Sequence, residues 1–413
     1  MKINFLIIFS ILSVLFSCSS DSVEPSENVN LDPTVFNVTL EQVTDVSATI
    51  QWSVSNDPEN QTITYDIYLN SNLIYANSNN LNYTFENLTN ETNYSGKVVA
   101  SDGVNSTIVN FSFKTQPFIP LVFNGSVVLS TQQEVNDFGN NHYNIINGNL
   151  SIQSTTGLTS DISDLTPLVD ITEVIGYVQI QQTSIQSLEG LNNLSDINGI
   201  LRINYNNALQ NLNGLESLVS INQDLLIYNN NLLENTNAIG NLNNFSGYIH
   251  VSNNPNLINL TFSENIKQLE SIEILNNASL ERISGFNNIS KIDEILYLND
   301  NILLGNIDFS SLNAIGSSFS IINNLLSDLS AFNNLSTIGG YFDIMNNKSL
   351  TSLNGLSNLT SVNNTFNLWN NAMLSDYCSL TIIMQNNSIP GTFSTFGNLF
   401  NPTKQDIING NCN

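Results

Sequence analysis

The most regular feature of the chain is an apolar–x–apolar triplet that returns at a nearly constant interval. Aligned on its second apolar residue, it stands at Ile180, Ile203, Ile227, Val251, Ile274, Leu298, Ile321, Ile344 and Leu368, in steps of 23 or 24 residues. Leu150 and Ile152 open the series one irregular step of 28 residues earlier. A fixed period of this length belongs to solenoids, in which each repeat is a coil that buries its apolar face only against its neighbours. Three residues past the reference position stands an unbroken column: Asn206, Asn230, Asn254, Asn277, Asn301, Asn324, Asn347 and Asn371. An asparagine side chain both donates and accepts, so inside a turn it can satisfy backbone groups that the strand has just stopped pairing. Six residues past the reference come Leu209, Leu233, Leu257, Leu280, Leu304, Leu350 and Leu374, with Leu326 one place early. Each coil therefore reads Leu-x-Ile-x-x-Asn-x-x-Leu, which predicts a parallel strand and then a turn held by a structural ladder of stacked amides.

Upstream the pattern changes. From Val35 to Thr115, short alternating stretches broken by Asn, Asp, Pro and Gly predict an antiparallel sandwich. The expected strands are 48–52, 64–69, 83–85, 95–100 and 108–113. Gln116-Pro117-Phe118-Ile119-Pro120 reads as a semi-rigid linker. Beyond it, residues 125–129 read as a strand, and Thr131-Gln132-Gln133-Glu134 as a capping box opening a short helix through Phe138, placed to seal the first end of the solenoid. The expected organisation is an export signal at 1–17, a flexible tether at 18–33, the sandwich at 34–116, a linker at 117–123, and the solenoid with its C-terminal cap at 124–413. The fold class is mainly β.

Two resemblances sharpen this division. In the sandwich, Trp52 sits where fibronectin type III domains bury their strand-B Trp, and Leu88-Thr89-Asn90-Glu91-Thr92-Asn93-Tyr94 looks like their tyrosine corner. The stretch thus resembles a fibronectin type III domain, which implies that Trp52 and Tyr94 are core and corner residues. In the repeats, Leu188-Glu189-Gly190-Leu191, Leu212-Asn213-Gly214-Leu215 and Leu353-Asn354-Gly355-Leu356 resemble the receptor L-domain variety of leucine-rich repeats. Animal L-domains are flanked by Cys-rich modules and this chain has none, so growth-factor recognition is not implied. The stretch from Leu374 to Cys412 looks like the C-terminal cap of bacterial surface proteins of this kind.

Charge and cysteine content set the compartment and exclude some partners. The chain holds 35 Asp and Glu against 9 Lys and Arg, a net of −26, while only 11% of residues are charged. Such a balance repels phosphate backbones, so nucleic acid is not an expected partner. Met1-Lys2 followed by the apolar stretch from Phe5 to Phe16 reads as an export signal. Leu15-Phe16-Ser17-Cys18 resembles the lipobox of bacterial lipoproteins, which implies cleavage before Cys18 and a lipid anchor on it. Ser19 stands where an Asp would resemble an inner-membrane retention signal, so the resemblance directs the chain to the outer membrane or cell surface. With Cys18 lipidated, Cys378 and Cys412 are left over and are expected to pair as a disulfide closing the C-terminus, the alternative being two free buried thiols.

Candidate recognition residues follow from strand alternation. If the reference residues point inward, Arg202, Leu226, His250, Glu273, Tyr297 and Asp343 form one outward column. Tyr228, Leu275, Ile322, Met345 and Trp369 form the other. Apolar and aromatic groups on a face expected to be solvated mark a partner surface, unless the sandwich covers them or they merely stack along the ladder. A glycan, a peptide or a protein partner would each suit this face. No enzyme is expected: His142 and His250 lie in no Ser-His-Asp, zinc-ligand or phosphate-loop motif, and the carboxylates are scattered through turns. No cofactor and no metal are expected, membrane contact runs through the lipid only, and the chain is expected to be monomeric. The expectation is a lipid-anchored surface binding or adhesion protein. The alternatives are a structural spacer without a dedicated ligand and a non-catalytic polysaccharide-capture accessory.

Overall fold

The computed structural model describes residues 29–154 and 160–413. The export stretch and Cys18 lie outside the described residues. The chain is mainly β and forms two compact units that meet between Ile119 and Pro120.

The first unit has two antiparallel sheets. One carries Val38–Val43, Ala48–Trp52 and Asn82–Phe85 in that order; the other carries Asn72–Ser78, Thr64–Leu69, Asn93–Ser101 and Ser106–Lys114. Alternate residues point inward, so Ala48, Ile50 and Trp52 share a core with Tyr65, Ile67, Leu69, Val98 and Ala100. The expected strands are present. Two further strands, Val38–Val43 and Asn72–Ser78, lie at sheet edges with nearly every residue exposed or half-exposed, so they carry no alternation for a sequence pattern to reveal. The Tyr94 hydroxyl oxygen accepts the Thr89 amide at 2.9 Å, which pins the turn entering its strand.

The second unit is a parallel solenoid. Among the described residues, its main sheet has twelve strands in chain order, from Val127–Leu129 to Phe393–Phe396. The reference residues pair in register, Ile180 with Ile203, Ile203 with Ile227 and so on to Leu368. The ten expected strands gain Val127–Leu129 at one end and Phe393–Phe396 at the other, so Leu129 and Thr395 extend the reference line. Shorter strands make two five-stranded ladders elsewhere on the coils, beginning at Val122–Asn124, which overlaps the last two residues of the stretch read as linker.

Between the ladders the core is aliphatic in the early coils and aromatic in the later ones. A single early coil buries Val178, Ile180, Ile185, Leu188, Leu191, Leu194 and Ile197. Later, Phe262, Phe286, Phe309 and Phe332 stack at centroid spacings of 4.8, 5.2 and 5.6 Å. A second stack joins Phe319, Phe342 and Phe366 at 4.8 and 4.5 Å. The helix Gln132–Gly139 sets Val135 in the core at the first end. Thr131 caps it, but Glu134 reaches the Ser130 amide at 2.6 Å, one residue ahead of the cap, so only half of the expected box forms. At the far end Cys378 and Cys412 are bonded, with Cα atoms 5.0 Å apart, and Tyr377 donates its amide to the Cys412 carbonyl at 2.8 Å.

The asparagine column works as a two-sided ladder. Each side-chain Nδ2 donates to the reference carbonyl of the preceding coil, as Asn206 does to Ile180 at 2.9 Å and Asn254 to Ile227 at 3.1 Å. Each Oδ1 accepts the backbone N–H of the ladder residue one coil back, as Asn254 does from Asn230 at 3.0 Å. Thr183 takes this position in an early coil and Asn398 in the last. Immediately before each ladder residue the backbone turns left-handed, with φ between 54° and 60° at Gln182, Tyr205, Asn229, Asn253, Asn276, Asp300, Asn323, Asn346 and Asn370. Asparagine tolerates that region better than other non-glycine residues, which accounts for the Asn-Asn doublets at the ends of the strands. The ladder has one break: Asn324 Oδ1 is buried without a partner. It falls in the coil where Leu326 arrives one place early.

Candidate binding face

The eleven residues expected to face outward all lie on one side of the twelve-stranded sheet. Arg202, Leu226, His250, Glu273 and Tyr297 are successive register partners, and so are Tyr228, the intervening Ser252, and Leu275. Farther along, Asp343 lies two strands beyond Tyr297, across Ser320, and Ile322, Met345 and Trp369 are successive partners. The apolar members are less solvated than the pattern suggested. Leu226, Tyr228, Leu275, Tyr297, Ile322 and Met345 are half-buried; only Trp369 is exposed, at 36%. Parallel strands about 4.8 Å apart bring each column's side chains onto one another, so stacking along the ladder shields them. Phe396, on the last strand and beside Trp369, extends the apolar end and is 68% exposed.

The face divides into three stretches. In the early coils Gln179 donates to Gln153 at 2.8 Å and to Gln181 at 2.7 Å, while Arg202 Nη1 donates to Gln179 at 3.3 Å. Arg202 Nε and Asn204 Oδ1 are buried there without partners. At the centre, rings adjoin: Tyr205 and Tyr228 have centroids 5.9 Å apart, Tyr228 and His250 6.0 Å, all edge to face. In the late coils Asn367 donates to Asp343 at 2.8 Å. Burial holds the Asp343 carboxyl above its usual range, and that bond offsets part of the rise. Trp369 gives its indole N–H to Ser394 at 3.0 Å, which fixes the ring.

His250 stands in no linear Ser–His–acid motif, yet the fold supplies that context. Its Nε2 lies 2.8 Å from Ser252 Oγ and its Nδ1 3.0 Å from Glu273 Oε2. Ser252 and Tyr248 join this cluster and were not among the expected site residues. The signal was available: residues two apart share a strand face, and residues one period apart are register partners. His142 makes a separate, exposed pair with Asp170 at 2.7 Å. Among the described residues no group of His, Cys, Asp and Glu is arranged to hold a metal ion.

No known protein family matches the chain, and no curated protein does. Among solved structures it is similar to a computer-redesigned β-sandwich protein, at 20% identity over 22% of this chain and 98% of that one, with a TM-score of 0.18.

Proposed function

We propose that this is a lipid-anchored cell-surface recognition protein whose long sheet binds a neutral glycan. In this reading a fibronectin type III-like module precedes a receptor L-domain-like solenoid in the chain, and Cys18 carries the anchor at the outer membrane. The observation that carries it is the run of Tyr205, Tyr228 and His250 rings beside the Gln179–Gln181–Arg202 hydrogen-bond array. Rings on a rigid sheet offer flat apolar faces to sugar rings, and fixed amides and a guanidinium offer donors and acceptors to hydroxyls. Twelve strands at about 4.8 Å give the face roughly 50 Å of length, enough for an extended oligomer. The net charge of −26 opposes polyanionic ligands and favours uncharged ones.

The purified chain is expected to bind neutral oligosaccharides on an array. The triple variant Tyr228→Ala, Tyr297→Ala, Trp369→Ala is expected to weaken that binding at least ~30-fold, the equivalent of one hot-spot residue of about 2 kcal/mol. Undiminished binding by the variant overturns the site. Binding only to surface proteins or peptides replaces the glycan with that partner, and no binding at all leaves the spacer reading. Separately, Cys18→Ser is expected to move the chain from the membrane fraction to the soluble one. Retention in the membrane pellet would refute the lipid anchor.

A further inference from the structure

The middle of the sheet holds a chain of groups that recognition of a neutral ligand does not require. His250 and Ser252 alternate onto one face of the strand Tyr248–Ser252, and Glu273 is the register partner of His250 on the next strand. Ser252 Oγ lies 2.8 Å from His250 Nε2, and His250 Nδ1 lies 3.0 Å from Glu273 Oε2. In the tautomer that donates Nδ1–H to Glu273 Oε2, Nε2 turns its lone pair to the serine hydroxyl. Nucleophile, base and a carboxylate that fixes the base's tautomer form the arrangement that activates a serine. Tyr248 donates its phenol to the same Glu273 oxygen and lies 2.9 Å from His250 Nδ1. Burial first, and Glu273 after it, hold the Tyr248 phenol well above its ordinary range, so it stays a donor.

Ser252 is the short side chain in its column, with Tyr228 and Leu275 as its neighbours on either side. Between these larger side chains Ser252 is only 4% exposed, so access to its hydroxyl favours short acyl groups. The adjacent backbone N–H of Asn253 is spent on the Leu275 carbonyl at 3.1 Å. Its side chain reaches the nucleophile itself: Asn253 Nδ2 donates a long bond of 3.5 Å to Ser252 Oγ, brought back by the left-handed backbone at φ 54°, and so stands beside any oxygen attached there.

We propose that Ser252 is a His250-activated nucleophile that accepts short acyl groups from activated esters, with the Asn253 amide as the donor to the tetrahedral oxygen. As Oγ forms its bond to the ester carbonyl carbon, His250 Nε2 takes the hydroxyl proton and the carbonyl electron pair moves onto oxygen. Collapse of that intermediate breaks the bond to the leaving alcohol, which takes the proton from His250 and departs, leaving acyl-Ser252. Water deprotonated by His250 then returns the serine and a carboxylic acid. One side-chain donor stands in for a full oxyanion hole, and loss of a single such donor slows acyl transfer ~10²–10³-fold, so good leaving groups are required.

The test needs no glycan, so it fails or succeeds apart from the recognition reading. The full chain is treated with a fluorophosphonate probe and with p-nitrophenyl acetate, and modified residues are mapped by mass spectrometry. One equivalent at Ser252 is expected, lost in Ser252→Ala and formed about 100-fold more slowly in His250→Gln. Asn253→Gly keeps a residue suited to positive φ and is expected to slow acylation by up to about 100-fold. Far-UV circular dichroism and thermal melts establish that each variant is folded. Modification spread over many serines, no modification of Ser252, or a Ser252 rate indifferent to His250→Gln overturns the proposal. An unchanged rate in Asn253→Gly removes Asn253 from it.

Discussion

Replacing Asn254 with alanine is expected to lower the unfolding free energy by about 3–5 kcal/mol, and the same change at Asn324 by only about 1–2 kcal/mol. Asn254 is fully buried and its amide serves two coils. Its Oδ1 accepts the Asn230 backbone N–H at 3.0 Å and the Asn230 side chain at 3.2 Å, and its Nδ2 donates to the Ile227 carbonyl at 3.1 Å. Alanine leaves both backbone groups buried and unpaired, and each such orphan costs ~1–3 kcal/mol. Asn324 has less to lose. Its Oδ1 already lacks a partner, and the Ile322 carbonyl keeps the Asp300 N–H at 2.8 Å, so only the Leu298 carbonyl loses its contact, of 2.6 Å. Urea unfolding of both variants beside the wild type checks the difference. Equal losses would mean that the ladder contributes through packing of its stacked side chains and not through their hydrogen bonds. Because coils interact with their neighbours only, a loss at Asn254 should also split the transition into two steps, one for each side of the weakened interface.

The repeat was legible because solenoid geometry converts one period into one register. The steps that match Ile203 with Ile227 and Val251 with Ile274 also set Arg202 beside Leu226 and His250 beside Glu273, as in the folded sheet. The left-handed turn before each ladder residue lies outside the apolar period and shows only in doublets such as Asn229-Asn230 and Asn253-Asn254. The two residues of each pair do different jobs: the first Asn bends the backbone and the second bonds it. The Ser252–His250–Glu273 chain forms no linear motif, since its members are joined by strand alternation and one period. Exposure was the least legible property. Tyr228, Ile322 and Met345 point outward as expected, but cross-strand neighbours, which depend on side-chain size in three columns at once, decide how much of them meets water. In the first unit the edge strand Asn72–Ser78 gave no pattern because it buries only Ser78.

Truncating Phe342 to alanine is expected to cost about 3–5 kcal/mol and to loosen one end of the binding face selectively. Phe342 is fully buried between two parallel rings, Phe319 at 4.8 Å with 5° between planes and Phe366 at 4.5 Å with 13°. At the equivalent inward position the earlier coils carry Leu201, Leu225 and Leu296, so the column changes from aliphatic to aromatic at Phe319. Alanine removes a ring from a stack whose neighbours are held by ladder bonds and cannot close on the gap, which is the condition under which cavities are most destabilising. Leucine, the residue of the earlier coils, fills most of that space and should recover more than half of the loss. The strands involved also carry Asp343, Met345 and Trp369 on their outer side. Hydrogen exchange should therefore rise in 342–345 and 366–369 of Phe342→Ala while 248–252 stays protected, because the three strands between 248–252 and 342–345 pass stability on only through nearest-neighbour contacts. Uniform deprotection along the sheet would instead mean that the coils melt as a single cooperative unit, and the recognition face would then have one stability throughout.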